Sequence, residues 1–485
     1  MLALVSLFVA LLGCGGASAR VAAGPSAASP ASPASLSARL ERVLAGPGLV
    51  GAKLSVLVED RRSGQVLFAR DAGQPLMPAS TQKLLTAVAA LAAFGPAHRF
   101  ETRIVAAASP DKRGAVQDLG VIGADPAMTS EQWWRLAADL RARGLRRVRG
   151  DLVLDDRRLD HERWHPSWQS LSSRAYHAPV GALSANYGAF RVAVLPGSHA
   201  GAPAEVFVDP PVDYFELASD ATTGTARSQP TLQVSRELAG ARERIHVSGS
   251  IAEGDEARDV WRSVLRPDRY AGAVLRLQLA ANGIDVGGKV RPGVVRAEPG
   301  WTYVFKGDRL ARETTLFLKY SNNFIAEVLV KTLGIGPAGE PGTWPRGVVA
   351  VRDQLRSLGV KIDASHWVDG SGLSRKNRVS ARLLVETLRA ADRQPGFGPE
   401  LWAALPLAGL DGTLHDRMDG LQGRLRAKTG SLDGVAALSG LARGANGRDL
   451  VFAILANGFS RGDAEAAASL DAFALALVGP RPVVH

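Results

Sequence analysis

Apolar positions recur at helical spacing at Leu36, Leu40, Val43 and Leu44, and then the period changes. Ala52 to Val58 and Val66 to Ala69 read as two strands joined about Arg61-Arg62-Ser63-Gly64, a hairpin signature. A helix opening at Ser80 carries Leu84, Val88 and Leu91 on one face and stops at Gly95-Pro96. From Phe100 to Gly293 short strands and turn clusters alternate with a few helices. The plainest of these is Glu131 to Arg143, where Trp133, Leu136, Ala137 and Leu140 align ahead of Gly144. Ala204 to Gly254 is polar and strand-like, with no helical period. Helices return at Asp268 to Ala281 and Leu316 to Leu333. The end of the chain reads as strands at Leu425 to Thr429, Ala436 to Ala442 and Leu450 to Ala456, with a turn at Asn446-Gly447, and then a helix at Asp463 to Val478.

This pattern predicts an α+β fold in which the N-terminal helix and hairpin meet the C-terminal meander and helix. Together they would make one antiparallel sheet with helices packed on it. Residues 36–96 and 294–485 form the two parts of that domain, and 97–293 is a large, mixed, strand-rich insertion with a module nested at about 204–254.

Hydrophobic residues make up 46% of the 485 positions and charged residues 22%, a globular balance with ample material for a large core. The formal charge of +11 would favour acidic partners, but the basic residues are mostly scattered arginines with no nucleic-acid motif beside them, so no nucleic-acid function is expected. Met1 to Gly13 is a short apolar run followed by small residues, which fits an export signal over residues 1–19 and a flexible tether over 20–35. Leu11-Leu12-Gly13-Cys14 resembles a lipoprotein box, while Ala17-Ser18-Ala19 suits an ordinary signal peptidase. Met1 to Ser6 holds no Lys or Arg, which departs from the usual signal. The expected location is the periplasm or cell envelope, with membrane attachment only through a lipid on Cys14. That cysteine is the only one, so no intrachain disulfide can form.

Ser80 and Lys83 lie one turn apart, on one face of a helix start. A hydroxyl becomes a nucleophile when a base takes its proton, and an amine serves once its pKa is lowered. A capping serine beside a solvated lysine has the same spacing, and Ser109 with Lys112 repeats it in a Pro-bearing loop. Further residues decide between the two readings. "KYSNN" supplies Ser321 and Asn323, and "RAKTGSL" supplies Lys428, Thr429, Gly430 and Ser431. S-x-x-K, S-x-N and K-T-G in that order are the set used by penicillin-binding proteins and serine β-lactamases. Ser321 can relay a proton between Lys83 and a leaving amine, and Asn323 can hold Lys83 and a substrate amide. Lys428 and Thr429 would grip a terminal carboxylate from a strand, where Gly430 allows close approach. Lys428 would also lower the pKa of Lys83 by like-charge repulsion. A second S-x-N, Ser184 to Asn186, lacks a following helix and a preceding lysine.

His161, Glu162 and His165 spell H-E-x-x-H, a zinc-peptidase pattern. Zinc would need these on a continuous helix with a third ligand, but Pro166 disfavours helix at His165 and Trp168 stands where one extended version of the motif has Gly, so neither a metal nor any other cofactor is expected.

With these motifs placed, the chain resembles the D-alanyl-D-alanine carboxypeptidase/endopeptidase family, the class C low-molecular-mass penicillin-binding proteins. The likeness runs from about Leu36 to the C-terminus. It includes "GADPAMT" at 123–129, "YHAPVGALSANYG" at 176–188, "VDGSGLSR" at 368–375 and "LAGLDGTL" at 407–414. Ala124 departs from the Gly of many relatives. The resemblance implies a β-lactamase/transpeptidase-like domain with helices on both faces of its sheet, split by an insertion. It also implies cleavage of D-Ala-D-Ala peptides or peptidoglycan cross-links through an acyl-serine, with β-lactams as inhibitors. Carried onto this sequence, the nucleophile is Ser80, the base Lys83, the relay Ser321 and Asn323, and the carboxylate grip Lys428 and Thr429. The oxyanion would lie between the N–H groups of Ser80 and Ser431. Three other readings remain: a serine β-lactamase, for which Glu327 is the candidate deacylating carboxylate, a non-catalytic wall-binding protein, and the zinc peptidase.

Overall fold

The computed structural model describes residues 35–123, 125–169, 171–295 and 300–479, so the expected export signal, Cys14, nearly all of the tether and Ala124 lie outside the described residues. The N- and C-terminal segments meet as expected. A five-stranded antiparallel sheet runs in the order Leu425–Leu432, Val435–Arg443, Asp449–Asn457, Lys53–Asp60, Val66–Arg70. The register sets Val56 opposite Ile454, joining the first strand of the chain to the last.

Strand alternation explains why the sheet is covered on both faces. Phe452, Ile454 and Ala456 pack with Leu40, Leu44, Phe473 and Leu477 from the helices Leu36–Leu44 and Asp463–Val478. Val451, Ala453 and Leu455 point the other way, into a core with Leu84, Val88 and Leu384 from the helices Lys83–Phe94 and Ala381–Asp392. Hence the central strands read as continuous apolar runs.

Between these halves a second five-stranded sheet pairs Arg99–Ala106 with Trp301–Arg309, so the strands that lead into and out of this region are neighbours. The expected boundary at residue 293 falls before the second of them. Residues 204–254 hold strands and no described helix, and Glu205–Asp209 pairs outward with Ala189–Leu195. Phe100, Leu159, Trp168 and Val180 sit in the same core as Leu84 and Val88, so residues 97–293 help to build the interior around the helix Lys83–Phe94.

One helix prediction needs correction. Leu316 to Leu333 is not continuous: Leu310–Lys319 ends, Ser321 takes a φ of 56°, and Asn323–Leu333 starts anew. The Asn322 side chain accepts from the Ile325 N–H at 3.0 Å and caps the new helix. Periodicity misses the break because both pieces keep their apolar faces inward.

Candidate active site

Ser80 lies in a turn of 3₁₀-helix, Ala79–Gln82, which runs into the helix Lys83–Phe94. Ala79 has a φ of 45°, a conformation that non-glycine residues seldom adopt, so the chain enters through a strained corner. Ser80 caps neither helix. Lys83 is fully buried, and its ammonium donates to Ser80 Oγ at 2.9 Å, Asn323 Oδ1 at 2.7 Å and the Ser371 carbonyl at 2.8 Å. This geometry is incompatible with a capping serine beside a solvated lysine.

Burial lowers the Lys83 pKa from 10.5 to about 7, against the opposing pull of the Glu327 and Asp369 carboxylates. An amine poised near neutrality can take a proton from a hydroxyl that it already touches. Burial outweighs the expected repulsion between Lys83 and Lys428. Desolvation is the larger effect at both lysines, and at Lys428, which is pushed well below the usual lysine range, the Lys83 charge adds to it.

The chain reversal at Ser321 brings that hydroxyl to the cleft that Ser80 lines. Asn323 accepts from Lys83 through Oδ1 and donates from Nδ2 to the Tyr176 carbonyl at 3.0 Å, which ties the residue to the chain just before "APVGAL". The K-T-G strand, Leu425–Leu432, is an edge of the sheet, where an extended peptide can add. A Cβ at Gly430 would stand 2.7 Å from the Pro78 carbonyl and 3.1 Å from the Ser80 nitrogen, so only glycine lets the strand lie against the turn that carries Ser80. Lys428 is buried with its ammonium donating to the Thr429 carbonyl at 2.7 Å, and Thr429 Oγ1 donates to Thr413 Oγ1 at 2.8 Å. Ser431 lines the cleft, whose volume is about 740 Å³, and Tyr176 and Arg375 line it too.

No role for "VDGSGLSR" is legible in its residues alone. In the fold it is the loop whose Ser371 carbonyl receives Lys83. The Asp369 carboxylate gathers the N–H groups of Gly372 at 3.0 Å and Ser374 at 2.7 Å, the Asn377 amide at 2.8 Å and the Trp168 indole at 2.9 Å. Gly372 has a φ of 85° and presses on Ala79, where a Cβ would come 1.8 Å from the carbonyl. Thr413, likewise, lies in the quoted "LAGLDGTL" and meets Thr429. An Asp-Gly-Ser-Gly run was the available signal for a tight, polar loop.

Glu327 is 1% exposed and does not line the cleft. It accepts from the N–H groups of Gly370 at 2.9 Å and Ser371 at 2.7 Å and from the Trp344 indole at 2.8 Å, so it braces the loop and is not placed to activate water at an acyl-serine. Burial and then the Asp369 charge raise its pKa to about 7.

The H-E-x-x-H segment is not helical, and His161 and Glu162 are exposed. His165 turns inward, where its Nδ1 accepts from the Ser167 N–H at 3.1 Å, and Ser167 Oγ lies 2.5 Å from Ser374 Oγ. These residues pin residues 165–168 to the loop behind Lys83. The other S-x-N is structural too, since Asn186 donates to Ser130 Oγ at 2.9 Å and Tyr270 Oη at 3.1 Å.

Residues 36–477 match the D-Ala-D-Ala carboxypeptidase 3 (S13) family. A D-alanyl-D-alanine carboxypeptidase of Actinomadura sp. (strain R39) is 38% identical over 440 residues, spanning 87% of this chain and 80% of that protein. The D-alanyl-D-alanine carboxypeptidase DacB of Haemophilus influenzae is 27% identical over 440 residues, spanning 86% of this chain and 87% of that one. The crystal structure of penicillin binding protein 4 from Haemophilus influenzae superposes with a TM-score of 0.74 at 26% identity, covering 90% of this chain and 97% of that chain. With the match running through nearly all of the described fold, the chain belongs to the D-Ala-D-Ala carboxypeptidase 3 (S13) family.

Proposed function

We propose that this serine DD-peptidase cleaves peptides ending in D-Ala-D-Ala, and the peptide cross-links of peptidoglycan, through an acyl ester on Ser80. The observation that carries the reading is the buried Lys83 ammonium, 2.9 Å from Ser80 Oγ, at the floor of a cleft that Ser321 and Ser431 also line. Neutral Lys83 takes the hydroxyl proton as Ser80 Oγ attacks the carbonyl. The Ser80 and Ser431 N–H groups stabilise the oxyanion, and Ser321 passes the proton to the departing amine. Lys428 and Thr429 hold the carboxylate of the leaving residue, and Asn323 keeps Lys83 in line. Water then hydrolyses the ester, restoring the serine. A β-lactam presents the same acyl group and carboxylate, so it would acylate Ser80. The burial of Glu327 favours a peptidase over a β-lactamase that turns over quickly.

Labelling with a fluorescent penicillin tests the assignment. The wild type should form a stable adduct and release D-Ala from a D-Ala-D-Ala peptide, whereas Ser80→Ala should do neither. Equal labelling of the two proteins would remove Ser80 from the reaction. We also propose export to the periplasm or cell envelope on the strength of the N-terminal apolar run. Mass spectrometry of the mature N-terminus separates a lipid on Cys14 from cleavage after Ala19, and an intact Met1 would refute export by either route.

A further inference from the structure

A second groove, of about 930 Å³, opens from the same wall as Ser321 and Asn323 and runs away from Ser80 and Ser431. Its far side comes from the inserted region, on the chain around Arg174 and the strand Arg258–Ser263. The Arg174 and Arg262 backbones pair as an isolated bridge, which sets two guanidinium groups on one rim. Burial, and then the charge of Arg174, hold Arg262 below the usual arginine range. Asp259 on the same strand is engaged by Arg191 at 3.2 Å, and among the described residues no carboxylate pairs with Arg174 or Arg262. Two large, exposed aromatic side chains also line the groove, Trp261 at 52% exposure next to Arg262 on the strand and Tyr320 at 68% on the wall shared with the Ser80 cleft. Among the described residues the Arg262 guanidinium donates only to the Val234 and Trp261 carbonyls, at 2.9 and 3.0 Å. Two cations without a carboxylate partner thus stand beside exposed aromatic rings, next to the cleft that Ser80 lines, and this is the composition of a binding surface for an anionic chain.

The direction of the groove identifies that chain. On the peptidase reading above, Ser321 delivers the proton to the leaving amine, so whatever is attached to that amine departs along the Ser321 wall. The acyl side lies instead towards Ser431 and Arg375. A single D-Ala is too short to enter the groove, but a cross-link carries a whole second peptide on the same amine. We infer that the groove between Arg174, Trp261, Arg262 and Tyr320 binds the second, carboxylate-bearing peptide of a cross-linked substrate, its carboxylates meeting the two arginines and its aliphatic parts lying on the aromatic rings. The inserted region would thereby favour cross-links over free peptide ends.

The test compares two substrates on the full chain: a synthetic pentapeptide ending in D-Ala-D-Ala, and a purified cross-linked muropeptide dimer. Arg174→Glu reverses an exposed charge that has no described ion pair, and Trp261→Ala removes the platform, so neither relies on a buried substitution. In each variant the ratio of kcat/KM for the dimer to kcat/KM for the pentapeptide should fall at least about tenfold, chiefly through KM, the scale expected from losing charge-assisted contacts. An unchanged ratio, or a wild type that cleaves the pentapeptide and leaves the dimer intact, would overturn the inference. A wild type inert on both substrates and unlabelled by penicillin would instead overturn the peptidase reading, which is a separate failure.

Discussion

Lys83 shows how one residue acquires its chemistry from its surroundings. Burial favours the neutral amine, the Glu327 and Asp369 carboxylates favour the ammonium, and the balance falls at about 7. On the proposed mechanism Lys83 is the base and must be neutral to act, so acylation should rise with pH through that region. Glu327→Gln removes a charge that raises the Lys83 pKa. The rising limb of the acylation profile should therefore move to lower pH, measured as the rate of fluorescent-penicillin labelling across the neutral range. A limb that stays in place or moves upward would remove Glu327 from the electrostatics of the site. The substitution also turns an amide N–H₂ towards donors that now bond Glu327, so a stability loss of about 1–3 kcal/mol should accompany the shift.

At the scale of elements, the site is assembled from turns and helix starts more than from regular structure. Ala79 and Ser321 both hold positive φ angles, and each stands at or beside a residue with a proposed role. The strand Leu425–Leu432 contributes by lying close enough to share space with the Pro78 carbonyl, which permits no side chain at Gly430. Gly430→Val should push strand and turn apart, because both neighbours are backbone atoms that cannot rotate away. We expect a loss of about 1–3 kcal/mol in urea unfolding together with much slower penicillin acylation. Full stability with wild-type labelling would show that the strand is not held where the structure puts it.

For the whole molecule, the inserted region reaches the reaction centre through the loop behind it. Trp168 lies far along the chain from Asp369, yet its indole N–H is one of four donors that hold that carboxylate, and the same loop supplies the Ser371 carbonyl to Lys83. Trp168→Phe keeps most of the packing and deletes one donor. It should cost about 1–3 kcal/mol in thermal or denaturant unfolding and should slow acylation, although Trp168 is not a lining residue of the cleft. A variant with lowered stability and wild-type acylation would mean that the inserted region supports the fold alone.

What the sequence determined by itself is whatever repeats or is local. Short apolar runs bounded by turn signals at Lys53–Asp60 and Asp449–Asn457 and the period-3.6 face at Leu36–Leu44 announce strands and a helix, since side-chain direction follows from backbone geometry. Motif order likewise nominated Ser80, Lys83, Ser321, Asn323, Lys428 and Thr429. Tertiary structure alone decided which neighbours those residues would have. Glu327, the candidate deacylating carboxylate of the β-lactamase reading, is a buried brace, His165 of the H-E-x-x-H run, where no metal is expected, is a pin, and the helix expected through Tyr320 breaks at Ser321. The reason is physical: desolvation and hydrogen-bond partners depend on which distant segments pack around a group, and no pattern along the chain records that.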